Sequence, residues 1–261
     1  MTKQTNTLTD AFGRKIEYLR LSVTHRCASR CAHCMPKHSE GYKKPVNWLS
    51  FDEIKRILRL FSKMGLRPIR LTSGKPLLRN RIANLAGRIK SIPGIDDHSL
   101  STNGTQLAKH ARALWEAGVT RLNVSLDTLK PLRFAAMTRR NALNEVLDGL
   151  KAALEIGISP IKINMVGLAG NNDDELEKMI AFCRNGGFNL RLIETMPMRK
   201  TDRNSQFGSQ HPLMASLKER FSLIDGLNPG GGPARYLVGP SAEFSLGFIT
   251  PVSQHFCATC N

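Results

Sequence analysis

The sequence predicts an α/β protein, a partial (β/α)6 barrel followed by a small, incomplete C-terminal module, and three observations carry that expectation. Short β-type runs alternate with helical patterns through six consecutive units from residue 18 onward. Parallel neighbours need a crossover connection, and helices supply it. Residues with chemical potential gather just after the strands, where such folds build their ligand sites. They are a cysteine loop after the first strand, Ser73-Gly74-Lys75-Pro76 after the second, Asn103-Gly104 after the third, and Ser125 with Asp127 at the end of the fourth. Finally, 261 residues are enough to bury a sizeable core.

In chain order, residues 18–23 put Leu19, Leu21 and Val23 on one face and Arg20 and Ser22 on the other, the period of two expected of a strand. Ser50 and Glu53 form a capping box ahead of Ile54, Ile57, Leu58 and Phe61 at helical spacing. Residues 68–72 read as the second strand, and Ile82, Leu85 and Ile89 mark a helix that Pro93-Gly94 closes off. A third strand over 98–102 runs into the Asn103-Gly104 turn and a helix over 107–117, ended by Gly118. A strand at 121–125 is followed by a helix over about 141–156 with Leu143, Val146, Leu147 and Leu150 inward. Residues 161–165 and 189–194 are the fifth and sixth strands, separated by a helix over 173–183. The pattern then loosens. Residues 228–233 (NPGGGP) read as a loop or linker, and 246–250 as a strand of the smaller module. The expected division is 1–225 for the barrel core and 226–261 for the start of the C-terminal module.

Lys and Arg number 38 against 21 Asp and Glu, a formal charge of +17 that favours anionic partners such as nucleotides, phosphates or RNA. The basic residues are scattered and aromatics are few, which argues against a stacking platform for single strands and against nucleic acid as the partner. No apolar run approaches the roughly 18 residues of a membrane span, so a cytoplasmic protein without membrane contact is expected. Its six cysteines are then reduced thiols, and clustered ones are metal ligands or catalytic groups.

Cys27, Cys31 and Cys34 form such a cluster, spaced C-x3-C-x2-C within one loop. A 4Fe-4S cube takes four thiolates, so three hold three irons and leave the fourth iron open to a small molecule. Zinc is the competing reading, with His25, His33 and His38 nearby, but no second pair of ligands stands at a zinc-ribbon distance. Cys183 shares a helical face with Ile180 and reads as a buried hydrophobe.

The run YLRLSVTHRCASRCAHCMP (18–36), followed in order by IRLTSGKPLLR, STNG, RLNVSLDTL, IKINMV, LRLIETMP and FCATCN, resembles the molybdenum cofactor biosynthesis protein A family. These are radical S-adenosylmethionine (SAM) enzymes that act as GTP 3′,8-cyclases, and the likeness spans nearly the whole chain. The resemblance implies a partial barrel of the radical SAM type, with Cys27, Cys31 and Cys34 on a 4Fe-4S cluster whose open iron binds SAM. It further implies a 5′-deoxyadenosyl radical that turns GTP into a 3′,8-cyclised nucleotide, the precursor of molybdopterin. Carried over residue by residue, the SAM pocket falls on His33, Gly74, Ser125 and Met196, and the GTP positions on Arg20, Arg70, Ser101 and Lys162. A reducing electron donor completes the partners, and a homodimer is admissible as the assembly.

The chain departs from the family pattern in two places. Where the family has Gly-Gly-Glu-Pro, Lys75 replaces the glutamate associated with the SAM amino group, and a lysine is long enough to turn into solvent and merely lose the contact. The family's second 4Fe-4S cluster uses three C-terminal cysteines, whereas Cys257 and Cys260 are followed only by Asn261, which reads as a truncation and leaves the expected content near four irons. Two other functions compete: a radical SAM enzyme acting on RNA, and a non-enzymatic iron-sulfur or zinc protein that binds a nucleotide. Restoring the acid with Lys75→Glu is expected to raise SAM affinity, measured by calorimetry on reconstituted protein; equal affinities contradict that charge argument.

Overall fold

The structure, a computed structural model, describes residues 7–27, 29, 31, 34, 48–72, 75–168, 170–196, 211–226, 232–240 and 244–254. One nine-stranded sheet runs in the order β1-β2-β3-β4-β5-β6-β9-β8-β7. Its strands are β1 Leu19–Ser22, β2 Pro68–Thr72, β3 Asp97–Thr102, β4 Arg121–Ser125, β5 Ile161–Val166, β6 Asn189–Ile193, β7 Ile224–Gly226, β8 Arg235–Val238 and β9 Ser245–Ile249. The first six are parallel and lie beside each other in chain order, so right-handed crossovers place their helices on one face of the sheet. That is the expected partial barrel.

The helices are α1 Phe51–Lys63, α2 Ile82–Lys90, α3 Leu107–Glu116, α4 Pro131–Thr138, α5 Leu143–Glu155, α6 Leu176–Asn185 and α7 His211–Arg220. The capping box is formed: the Glu53 carboxylate accepts from the Ser50 amide at 2.7 Å while Ser50 Oγ accepts from the Glu53 amide at 3.2 Å. Leu85, Ile89, Leu107, Leu114, Val146 and Leu150 are fully buried between helices and sheet. Gly149 lets α5 approach the start of α3, since a Cβ there would stand 2.8 Å from both the Gly104 carbonyl oxygen and Leu107 Cβ. Cys183 is buried as expected, and burial pushes its thiol up to about 12. Among the described residues no helix is long and apolar enough to cross a membrane.

Four elements add to those expected. The helix α4 opens on Pro131 at its first position, where the missing amide hydrogen costs nothing. α7, β7 and β8 arise in the stretch where periodicity fades. The expected boundary at 225 falls inside β7, and β9 does not found a separate sheet: it pairs in parallel with β6, Leu190 opposite Leu246 and Leu192 opposite Phe248. The strands after residue 223 therefore extend the barrel sheet.

His98 lies on the helix-facing side of β3, 4 % exposed, with no hydrogen-bond partner at either ring nitrogen among the described residues. Burial lowers its pKa from 6.5 to about 4, against a small opposing pull from Asp97. The unfolded chain then takes up the proton first as pH falls, so stability drains between about 6.5 and 4, by roughly 3 kcal/mol in all. Chemical denaturation of His98→Leu at pH 7 and pH 4.5 is expected to show a smaller loss than wild type; equal losses contradict a neutral buried imidazole.

Candidate functional site

Alternation along the parallel strands divides the chemistry. Residues such as Ile69, Leu71, Leu100, Val124, Ile163 and Leu190 point to the helices and are fully buried. Their neighbours in sequence line an internal cavity of about 470 Å³: Arg20 on β1, Arg70 on β2, Ser99 and Ser101 on β3, Arg121 and Asn123 on β4, Lys162 and Asn164 on β5, Arg191 on β6 and Tyr236 on β8. Register brings them side by side. Arg20 is opposite Arg70, Arg70 opposite Ser99, Ser99 opposite Arg121, Ser101 opposite Asn123, Asn123 opposite Lys162, and Asn164 opposite Arg191.

Five cations thus share one cavity, and no carboxylate lines it among the described residues. Asp97 lies at its edge, where it accepts Arg121 Nε at 2.9 Å and closes a second bond with Nη2. Arg191 Nε donates to Asn164 Oδ1 at 2.8 Å and its Nη2 to Asn123, so the guanidinium is held by neutral amides. Arg70 donates to Ser99 Oγ at 3.4 Å and packs 5.2 Å over the Tyr18 ring. Burial lowers the pKa of Arg70 and Arg191. Lys162 donates to the Tyr236 hydroxyl at 3.3 Å, and its ammonium sits 5.1 Å above that ring. Burial first, then Arg191, Arg121 and Arg70, pull its pKa down to about 7, with Asp97 opposing. Gly247 opposite Arg191 leaves room for both side chains: a Cβ there would come within 2.8 Å of Arg191 Cγ and of the Tyr236 ring.

At the C-terminal strand ends lies the cysteine loop. Cys27 and Cys31 are half-buried and Cys34 is exposed. The Cys34 amide donates to the Cys31 carbonyl at 3.0 Å, a turn that brings the two side by side. Burial, then Asp127 and the other two thiols, push Cys31 up to about 12, and burial with Asp127 and Cys27 raises Cys34. Mutual coupling of three soft thiols beside one carboxylate is what a metal cation relieves, since a bound cation drives a coordinating thiol to thiolate. Among the described residues no three metal-binding side chains are gathered round a single point, so the fit to a multi-iron group rests on spacing and on this coupling. The loop is braced at both ends. Arg79 donates to the Val23 carbonyl at 2.9 Å and the Leu49 carbonyl at 2.7 Å, and Asn103 Nδ2 donates to Ser29 Oγ at 2.9 Å.

Of the residues singled out in the sequence, Arg20, Arg70, Ser101, Lys162 and Met196 meet in the one cavity. Ser125 lies exposed at the end of β4, paired with Asn164. His33, Gly74, Cys257 and Cys260 lie outside the described residues. Lys75 corrects an expectation: it turns inward, 2 % exposed, because Thr105 Oγ1 accepts its ammonium at 3.2 Å. Arg121, Asn123, Asn164, Arg191 and Tyr236 were missed, although Arg191 breaks an apolar strand just as Arg20 and Arg70 do.

Family models match along the chain, the Radical SAM superfamily over residues 21–183 and Molybdenum Cofactor Synthesis C over 188–261. The GTP 3′,8-cyclase 1 of Pseudomonas aeruginosa is 42 % identical over 255 residues, which cover 97 % of this chain and 77 % of that protein. The GTP 3′,8-cyclase of Rhizobium etli is 43 % identical over 256 residues, 97 % of this chain and 73 % of its own. The chain belongs to the GTP 3′,8-cyclase family. Within the radical SAM superfamily, this brings a 4Fe-4S cluster and SAM as cofactors. Among solved structures, SuiB of Streptococcus suis bound to S-adenosylmethionine superposes with a TM-score of 0.66 at 16 % identity, over 78 % of this chain and 48 % of SuiB, a likeness of fold.

In this cyclase-family chain the low pKa of Lys162 has a direct consequence for anion binding. Below about 7 the side chain carries its charge, and above it the neutral amine predominates until an anion restores the proton. Calorimetry with inorganic triphosphate is expected to show affinity falling more steeply from pH 6 to 8.5 in wild type than in Lys162→Arg, whose cation persists; parallel curves contradict the assignment.

Proposed function

We infer that the protein is a radical SAM GTP 3′,8-cyclase of molybdenum cofactor biosynthesis, and that its cavity cations receive the GTP triphosphate. One observation carries the reading. Arg20, Arg70, Arg121, Lys162 and Arg191 are gathered by strand register inside a cavity of about 470 Å³, a mononucleotide-sized site rather than a basic outer face for RNA. Arg70, Lys162 and Arg191, desolvated and held by neutral amides and hydroxyls, leave their charge to an incoming anion, whereas Arg121 is paired with Asp97.

Cys27, Cys31 and Cys34 would hold the 4Fe-4S cluster, and Met196, Ser125, His33 and Gly74 would contact SAM. When bound, cluster and SAM supply a 5′-deoxyadenosyl radical for hydrogen abstraction from GTP. The chain's own part is placement. Arg20 and Arg70 stand side by side on β1 and β2, Lys162 and Arg191 line the same cavity from β5 and β6, and Ser101 offers a hydroxyl from β3. Met196, just beyond β6, lines the same cavity and adds an apolar wall. Cys257 and Cys260 would contribute to a second cluster. A reducing donor serves the enzyme in the cytoplasm, and a homodimer is its proposed assembly.

Anaerobic reconstitution with iron and sulfide, then incubation with reductant, SAM and GTP, tests the reading. Release of 5′-deoxyadenosine together with loss of GTP supports it; cleavage of SAM without consumption of GTP contradicts it. Arg70→Ala is expected to weaken GTP binding about tenfold to a hundredfold, as loss of a hydrogen bond to a charged group implies. Equilibrium binding checks this without turnover.

A further inference from the structure

Lys75 and Asp127 are buried charges of opposite sign beside the cysteine loop; Lys75 stands where the family has its SAM-associated glutamate, and Asp127 has no part in the proposed placement of nucleotide and SAM. Lys75 is 2 % exposed and Asp127 8 %. The Lys75 amide donates to the Arg26 carbonyl at 2.8 Å, next to Cys27. Its ammonium donates to Thr105 Oγ1 at 3.2 Å, Thr105 Oγ1 to Asn103 Oδ1 at 3.3 Å, and Asn103 Nδ2 to Ser29 Oγ at 2.9 Å, inside the loop between Cys27 and Cys31. The position of the ammonium is thus tied to that of the loop at two points. Burial lowers the lysine pKa, Arg140 adds to the fall, and Cys27, Glu145 and Cys31 oppose it. Asp127 comes from the end of β4, where Oδ1 accepts the Val166 amide at 2.8 Å, and its charge bears on Cys31 and Cys34. Lys75 is thus coupled to Cys27 and Cys31 and Asp127 to Cys31 and Cys34, so the two opposite charges meet the triad at Cys31.

We propose that Lys75 and Asp127 set the redox poise of the cluster held by Cys27, Cys31 and Cys34, Lys75 stabilising its reduced form and Asp127 its oxidised form. The physical reason is that reduction adds one negative charge to the cluster. A cation held nearby favours that state and an anion opposes it, and net charge is among the levers that set iron-sulfur potentials. Because both charges are buried, salt screens them little. Lys75 is a positioning residue for this electron, with no contact to the reacting atoms required. The inference rests on the reading of the three cysteines as cluster ligands.

The test is a redox titration followed by electron paramagnetic resonance on the anaerobically reconstituted full chain, after counting bound iron and sulfide. Lys75→Met and Lys75→Gln are expected to lower the midpoint, Asp127→Asn to raise it while keeping an acceptor for the Val166 amide, and Lys75→Arg to stay with wild type. At a fixed potential, a tenfold fall in the reduced-to-oxidised ratio corresponds to a shift of about 59 mV for one electron. Midpoints unmoved in all three charge variants, or moved in the same direction by Lys75→Gln and Asp127→Asn, overturn the proposal. A wild-type protein that binds no iron-sulfur cluster overturns the ligand reading instead, and with it this inference.

Discussion

Alternation along six parallel strands is the constraint on which the structure depends. A parallel sheet needs its outward residues to be apolar, because helices cover that face, and Ile69, Leu71, Leu100, Val124, Ile163 and Leu190 meet the demand. The intervening positions are then free for polar side chains, and register stacks them across the sheet. In this chain those positions are Arg20, Arg70, Arg121, Lys162 and Arg191. A slip of one residue would send every one of them into the helix layer. The same packing that stabilises the fold therefore assembles an array of like charges. Burial, and after it the repulsion of Arg191, Arg121 and Arg70, make Lys162 hold its proton more loosely than an exposed lysine does.

The two ends of the site answer different electrostatic problems. In the cavity, Arg70, Lys162 and Arg191 are held by Ser99, Tyr236, Asn123 and Asn164, neutral acceptors that fix geometry without cancelling charge, whereas Arg121 meets a carboxylate, Asp97. At the strand ends, burial and then the charge of Asp127 make the Cys31 and Cys34 thiols resist ionisation, a resistance that a bound metal cation would relieve. Met196, just beyond β6, lines the cavity. Catalysis by a cofactor-borne radical asks the protein to place two ligands and exclude water, and a polar cavity inside a rigid sheet suits that task.

Much of this was legible in the sequence because it is local. Short β-type runs marked all six parallel strands, the first by its period of two, the Ser50 and Glu53 pair marked the start of α1, and Arg20 and Arg70 stood out as charges interrupting apolar runs. What escaped was set by tertiary contacts. Tyr236 enters the site because β9 pairs with β6 and carries β8 beside it, a long-range pairing that no short window shows. The inward turn of Lys75 depends on Thr105, thirty residues away on another strand-end loop. β7 is only three residues long, too short to carry a periodic signal.

The central claim, that strand register builds the nucleotide site, is tested most directly by a crystal structure of the reconstituted protein with GTP. The account predicts phosphate oxygens within hydrogen-bond distance of Arg70 and Lys162, with the Arg191 guanidinium still on Asn164. A nucleotide bound outside the cavity, with those cations unmoved and uncontacted, would contradict it.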